Sequence, residues 1–182
     1  MPVHQVLLPL DGSDFSRRIL DDVCRLLSPD RFELTLLRVA PVPHGVPVQP
    51  LRPLVLDSWL LGLKSPPEEE PPIFASQIWE GLRAELMTTL SPDLRRLREA
   101  GFAASAVVHF GDAAEEIIQY VESQPIELVV MATHGRSGIE KLLMGSVAEK
   151  VLRGLAVPIM MLRPVGKPGP VTEATSAGGV NS

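Results

Sequence analysis

The residues best suited to chemistry lie in one stretch, Met131-Ala132-Thr133-His134-Gly135-Arg136-Ser137-Gly138, followed shortly by Gly145-Ser146. Glycines at 135 and 138 let a backbone curl until its N–H groups converge on an anion. Gly145-Ser146 then opens a helix whose first N–H groups carry partial positive charge. A phosphate chain laid over this loop meets both sets of donors, and Arg136 and Ser137 can add direct contacts. The same spacing admits a second reading. Ser146 and Glu149 form S-x-x-E, a capping box that needs no ligand, and the glycines can serve a tight turn alone. The stretch lacks the Gly-Lys-Ser/Thr ending of a P-loop and contains no GxGxxG.

Other candidate chemistry is thin. His4, His44, His109 and His134 have no metal-ligand spacing, and His134 stands near the phosphate-type loop only in sequence. Cys24 falls on the core-facing side of a predicted helix, which suits an inert buried thiol better than a nucleophile. Glu68-Glu69-Glu70 sits among prolines as a solvated charge run. No general base for phosphoryl transfer is visible, so the chain is not read as an enzyme, and any ATPase activity is expected to be slow.

The elements that position the stretch follow from apolar runs and punctuation. Val3 to Leu10 predicts a buried strand ending in Asp11-Gly12-Ser13, after which Ser13 or Asp14 caps a helix with Phe15, Ile19, Val23, Leu26 and Leu27 on its apolar face. Further strands are predicted at Phe32–Ala40, Phe102–Phe110, Ile126–Met131 and Val157–Arg163. Between them lie helices from Ser76 to Ala100, restarting at Ser91-Pro92, from a cap at Asp112 to Pro125, and from Ser146 to Gly154. Strands alternating with helices imply right-handed crossovers and an open α/β fold, a five-stranded parallel sheet with helices on both faces. In such a sheet ligands sit at the carboxyl ends of the strands, where the Met131–Ser146 stretch falls. The last strand alternates little over Val157–Leu162 and should form an edge, which predicts a homodimer through it.

Composition bounds the rest. Aromatic residues are 4% of the 182, so the core must be aliphatic, as in buried parallel strands. A net charge of −5 without a basic cluster argues against a nucleic-acid partner. A single cysteine excludes an internal disulfide and suits a reducing compartment. Neither a signal peptide nor a membrane span is predicted, and the expected location is cytoplasmic. One domain is expected over residues 1–163. It is interrupted by a Pro-rich insertion at about 41–75, where Pro41 to Pro72 holds nine of 18 prolines, and followed by a disordered tail over 164–182.

Pro9-Leu10-Asp11-Gly12-Ser13, the THGRSG…GS stretch and the final VPIMML strand, in this order, resemble the universal stress protein family. The resemblance implies a Rossmann-like sheet, akin to that of the adenine nucleotide α-hydrolases, usually dimeric, with ATP bound in one branch. That branch carries Gly, two residues, Gly, nine residues and Gly-Ser/Thr, which Gly135, Gly145 and Ser146 match while Ala132 takes the place of the first glycine. If that position is strand-like, Ala132 is accommodated; if it needs a left-handed backbone, affinity falls. By resemblance, Asp11 holds the ribose or adenine side, with Pro9 and Leu10 beside it. Val39, Met131 and Ala132 then line the adenine pocket, and Gly135, Arg136, Gly145, Ser146 and Val147 surround the phosphates. The implied function is that of an ATP-binding stress-response regulator, with Mg²⁺ accompanying the phosphates. The alternative is a dimeric interaction module of the same fold that binds no nucleotide, acting through its dimer surface and the insertion.

Overall fold

Val6, Leu7 and Leu8 are consecutive and all fully buried, which requires a strand covered on both faces. They belong to β1 (His4–Pro9), the central strand of the sheet. The computed structural model describes residues 3–42, 73–133 and 144–163. The predicted tail, nearly all of the predicted insertion, and Gly135 and Arg136 lie outside the described residues.

β2 (Phe32–Ala40) and β3 (Ala103–Phe110) extend the sheet on one side of β1; β4 (Leu128–Ala132) and β5 (Ile159–Leu162) extend it on the other. The order is β3-β2-β1-β4-β5 and every pairing is parallel, so the predicted five-stranded α/β sheet is the observed one. Helices α1 (Asp14–Arg17), α2 (Ile19–Leu26), α3 (Ile73–Glu99), α4 (Ala113–Ser123) and α5 (Ser146–Gly154) complete it. Strand alternation sorts the core into two layers. Val6, Leu8, Leu34 and Leu36 pack with Ile19, Leu20 and Val23 of α2 and with Leu90 and Leu97 of α3. Leu7, Leu37, Val129 and Met131 pack with Ile117 and Val121 of α4 and with Ala148 and Val151 of α5. Each fully buried aliphatic side chain of this kind is worth roughly 1.5–3 kcal/mol.

Several boundaries differ from the predicted ones, each for a local reason. The single helix expected after Ser13 is two, meeting at Arg18 with its backbone still helical. Leu26, expected in the core, is 52% exposed, because Leu27 leaves the helix with extended backbone and takes the buried place. Phe102 donates its N–H back to Leu97 and closes α3, so β3 begins one residue later. β4 and β5 are likewise shorter, with Ile126 bonded locally to Gln124 before the ladder begins.

The helix predicted to restart at Ser91-Pro92 runs unbroken. Pro92 withholds one N–H from the ladder, but Leu90 and Leu97 are buried on either side and keep the axis on the sheet. Ser91 is not a cap; its hydroxyl donates to the Met87 carbonyl one turn back. Asp93, next to the proline, is buried and accepts from Arg17 Nε at 3.0 Å, joining α1 to α3.

Burial pushes the Asp93 carboxyl above its ordinary pKa, and the Arg17 guanidinium offsets only part of the rise. The folded chain therefore holds this proton more tightly than the unfolded one. Its contribution to stability is fully present below the unfolded pKa and is lost as pH rises through the folded value. Asp93→Asn removes that titration. Thermal melts should show the Tm of wild type gaining on that of Asp93→Asn as pH falls from neutrality into the carboxylate range, and a constant gap would contradict the assignment.

Candidate functional site

The chain runs outward from β1 to β2 and β3, then crosses back to place β4 on the other side of β1. The loops after β1 and β4 consequently leave in opposite directions and open a crevice at the carboxyl ends of both strands. A cavity of about 330 Å³ occupies it, within the range of small-molecule sites. Pro9, Leu10, Asp11, Val39, Met131, Ala132, Gly145, Ser146 and Val147 line it, so nine of the predicted site residues come together.

The first wall is built by the turn after β1. Leu10 donates its N–H to the Leu37 carbonyl, the last backbone-to-backbone bond to β2 before the chain departs. Asp11 Oδ1 accepts from the Ser13 N–H at 2.9 Å and from the Ser13 hydroxyl at 2.6 Å. Gly12 completes the turn at φ +77°, a left-handed backbone that a side chain resists. Ser13 then caps α1, accepting from the Ser16 N–H, and buried Ser16 reaches the cavity wall.

The opposite wall contains two helix starts of different character. Asp112 caps α4, its carboxylate accepting from the Ala114 and Glu115 N–H groups. α5 has Gly145 as its N-cap and no side-chain capping bond. The predicted Ser146–Glu149 capping box does not form: Ser146 is already inside the helix, and Glu149 Oε1 accepts instead from Arg153. Gly145 spends its own N–H on the Thr133 carbonyl at 2.7 Å, which joins the two ends of the intervening loop. Ser146, Val147 and Ala148 all border the cavity. The start of α5 is therefore an electropositive backbone end facing the cavity, and α4, beside it, is already neutralised by its own aspartate.

Ala132 is the last residue of β4, and no described residue other than glycine has positive φ. Its position is strand-like, so the absence of glycine there costs no backbone strain; the methyl only occupies space in the wall.

Six further lining residues were not singled out from sequence: Ser16, Leu37, Ala113, Ile117, Thr133 and Ala148. Leu37 is two residues from Val39 on the same strand face, and Thr133 lies between two predicted positions, so periodicity and adjacency carried a signal for both. Ser16, Ala113 and Ile117 arrive from helices whose sequence gives no hint of a cavity. Cys24 is half-buried, and desolvation pushes its thiol pKa up. Among the described residues no three His, Cys, Asp or Glu side chains could hold a metal ion, and no helix is long and apolar enough to cross a membrane.

A crevice at the carboxyl ends of a five-stranded parallel sheet defines a class of α/β protein. The profile of the universal stress protein family matches residues 2–163, and the chain belongs to that family. It is 26% identical over 160 residues to universal stress protein YxiE of Bacillus subtilis, covering 88% of this chain and 99% of that protein. The fold is shared with a universal stress protein in complex with cAMP, at TM-score 0.57 and 15% identity over 91% of this chain and all of that one. It is also shared with a universal stress protein family protein from Arabidopsis thaliana with AMP bound, at TM-score 0.54 and 15% identity over 88% of this chain and 91% of that one.

Because Ser146 lies inside α5 and not at its cap, Ser146→Ala should change stability by less than about 0.5 kcal/mol. Loss of a genuine Ser cap costs about 1 kcal/mol. Urea denaturation distinguishes the two.

Proposed function

We propose that this protein binds an adenine nucleotide, ATP foremost, in the crevice between β1 and β4, and acts as a non-enzymatic stress-response regulator. The observation that carries the reading is the helix start at Gly145–Val147, without a side-chain cap, facing a cavity whose other walls are largely apolar. An apolar slot suits a flat base, and an electropositive helix end suits its phosphates. Two family members that share the fold hold cAMP and AMP, which fits the adenine choice.

In this arrangement Val39, Met131 and Ala132 contact the base, Asp11 with Pro9 and Leu10 holds the ribose side, and Gly145, Ser146 and Val147 receive the phosphates. Gly135 and Arg136, outside the described residues, are assigned to the phosphate side by their place in the motif. Mg²⁺ would enter on the phosphate oxygens, as it does where protein carboxylates are few. Among the described residues the cavity lining holds one carboxylate, Asp11, and this reading takes hydrolysis to be slow. A cytoplasmic location belongs to the same reading.

A homodimer through β5 is proposed on a separate observation. Among the described residues β5 pairs with β4 on one side only, and all four of its residues are half-buried. An apolar edge of this kind is relieved by a symmetric partner strand. Should nucleotide binding fail, this edge is the surface on which an interaction module would act. Wild type sedimenting as a monomer at micromolar concentration would refute the dimer.

Gly145→Val tests the nucleotide site. Gly145 has φ −74° and ψ 154°, a backbone that valine adopts without strain, so lost binding would report crowding at the phosphates. Calorimetry should show ATP affinity falling by about tenfold or more with the melting curve preserved. Unchanged affinity would sink the assignment. Ala132→Gly should leave the fold intact and tighten ATP only if the methyl crowds the base.

A further inference from the structure

β2 carries a charge where its pattern calls for an aliphatic residue. Leu34, Leu36 and Ala40 face the layer of α2 and α3, and Arg38 stands in the same alternating row, buried. The cavity lies against the opposite face, where Leu37 and Val39 reach it. Arg38 therefore does not line the site, yet its side chain runs toward it along the far side of the sheet. Nη1 donates to the Leu10 carbonyl at 3.3 Å. A methyl group added to Gly12 would come within 3.1 Å of the guanidinium carbon, so the group lies directly against the Asp11–Gly12 turn.

This contact occurs where β1 leaves the sheet. The β1–β2 ladder ends at Pro9 and Leu37, and Leu10 gives β2 one last N–H. Its carbonyl, which a continuing strand would pair with backbone, is met instead by a side chain. An arginine fits this position because its planar fork is always charged and donates in several directions at once.

From this geometry we infer that Arg38 is a positioning residue for the nucleotide site, holding the Leu10–Asp11–Gly12 turn from the opposite face of the sheet so that Asp11 meets the ribose. The inference rests on the proposed nucleotide reading for its consequence and on the turn alone for its structure, so the two are tested separately.

Arg38→Met keeps most of the apolar stem and removes the donors. ATP affinity should fall about tenfold, the scale of a lost charged hydrogen bond. Affinity for 2′-deoxy-ATP should fall less, and inorganic tripolyphosphate, which needs only the start of α5, should bind as before. Arg38→Lys should restore part of the loss. Equal losses for all three ligands, or no loss in a wild-type background that binds ATP, would overturn the inference. If wild type binds no ATP, the nucleotide reading fails, and amide hydrogen exchange still decides the role of Arg38. In Arg38→Met the Ser13 and Ser16 amides should exchange faster while those of α4 keep their protection, with recovery in Arg38→Lys. Unchanged exchange, or a uniform rise across the sheet, overturns the positioning role. Global unfolding of Arg38→Met would make Arg38 a support of the core instead.

Discussion

All five strands point the same way, and that single direction governs where everything else in the molecule can go. Parallel strands cannot be joined by tight turns, so each connection must cross a face and bury an apolar helix stripe on it. Both faces are thereby covered, and β1 is left with Val6, Leu7 and Leu8 sealed from water. At the carboxyl end, between β1 and β4, the connections diverge and, among the described residues, leave a crevice. The cavity is a consequence of strand order before it is a property of any side chain.

Within that crevice the two helix starts divide the work by their first residues. Asp112 gives α4 its own anion and ends its appetite for another. Glycine at 145 withholds a side-chain acceptor from α5, a choice that forgoes only about a few tenths of a kcal/mol of local stability. The bond from Gly145 N–H to the Thr133 carbonyl compensates by closing the loop on itself at the end of β4. The electropositive end is in this way left facing the cavity while its base stays anchored to the sheet.

The turn after β1 is organised by a chain of short polar contacts through Asp11, Ser13 and Ser16, with Arg38 behind it and Arg17 continuing into α3 through Asp93. A helix that packs on one face of the sheet is thus tied to a loop that borders the cavity on the other side. Polar groups buried this close to a site are costly unless paired, and here the pairing runs through the elements that shape the wall.

Much of this was legible in the order of residues. Aliphatic runs broken by Asp-Gly and Gly-Asp announce buried strands and their ends, because a strand covered on both faces must be apolar throughout and its exit must turn. The motif at 131–146 raised the expectation of a phosphate site for a similar reason: glycine is needed wherever backbone itself is the binding surface. What sequence left open was decided by packing at a distance. Whether Ser146 capped a helix or lay within one depended on where Gly145 could bond, and its partner, Thr133, belongs to another element. Whether Ala132 was tolerable depended on its being held in β4 by neighbours. Whether Pro92 broke a helix depended on Leu90 and Leu97 finding the sheet. Arg38 was not singled out from sequence, and only the pairing of β1 beside β2 placed it behind the Asp11 turn. Local sequence determines which backbone shapes are cheap; which of them the chain adopts is settled by contacts between residues far apart along it.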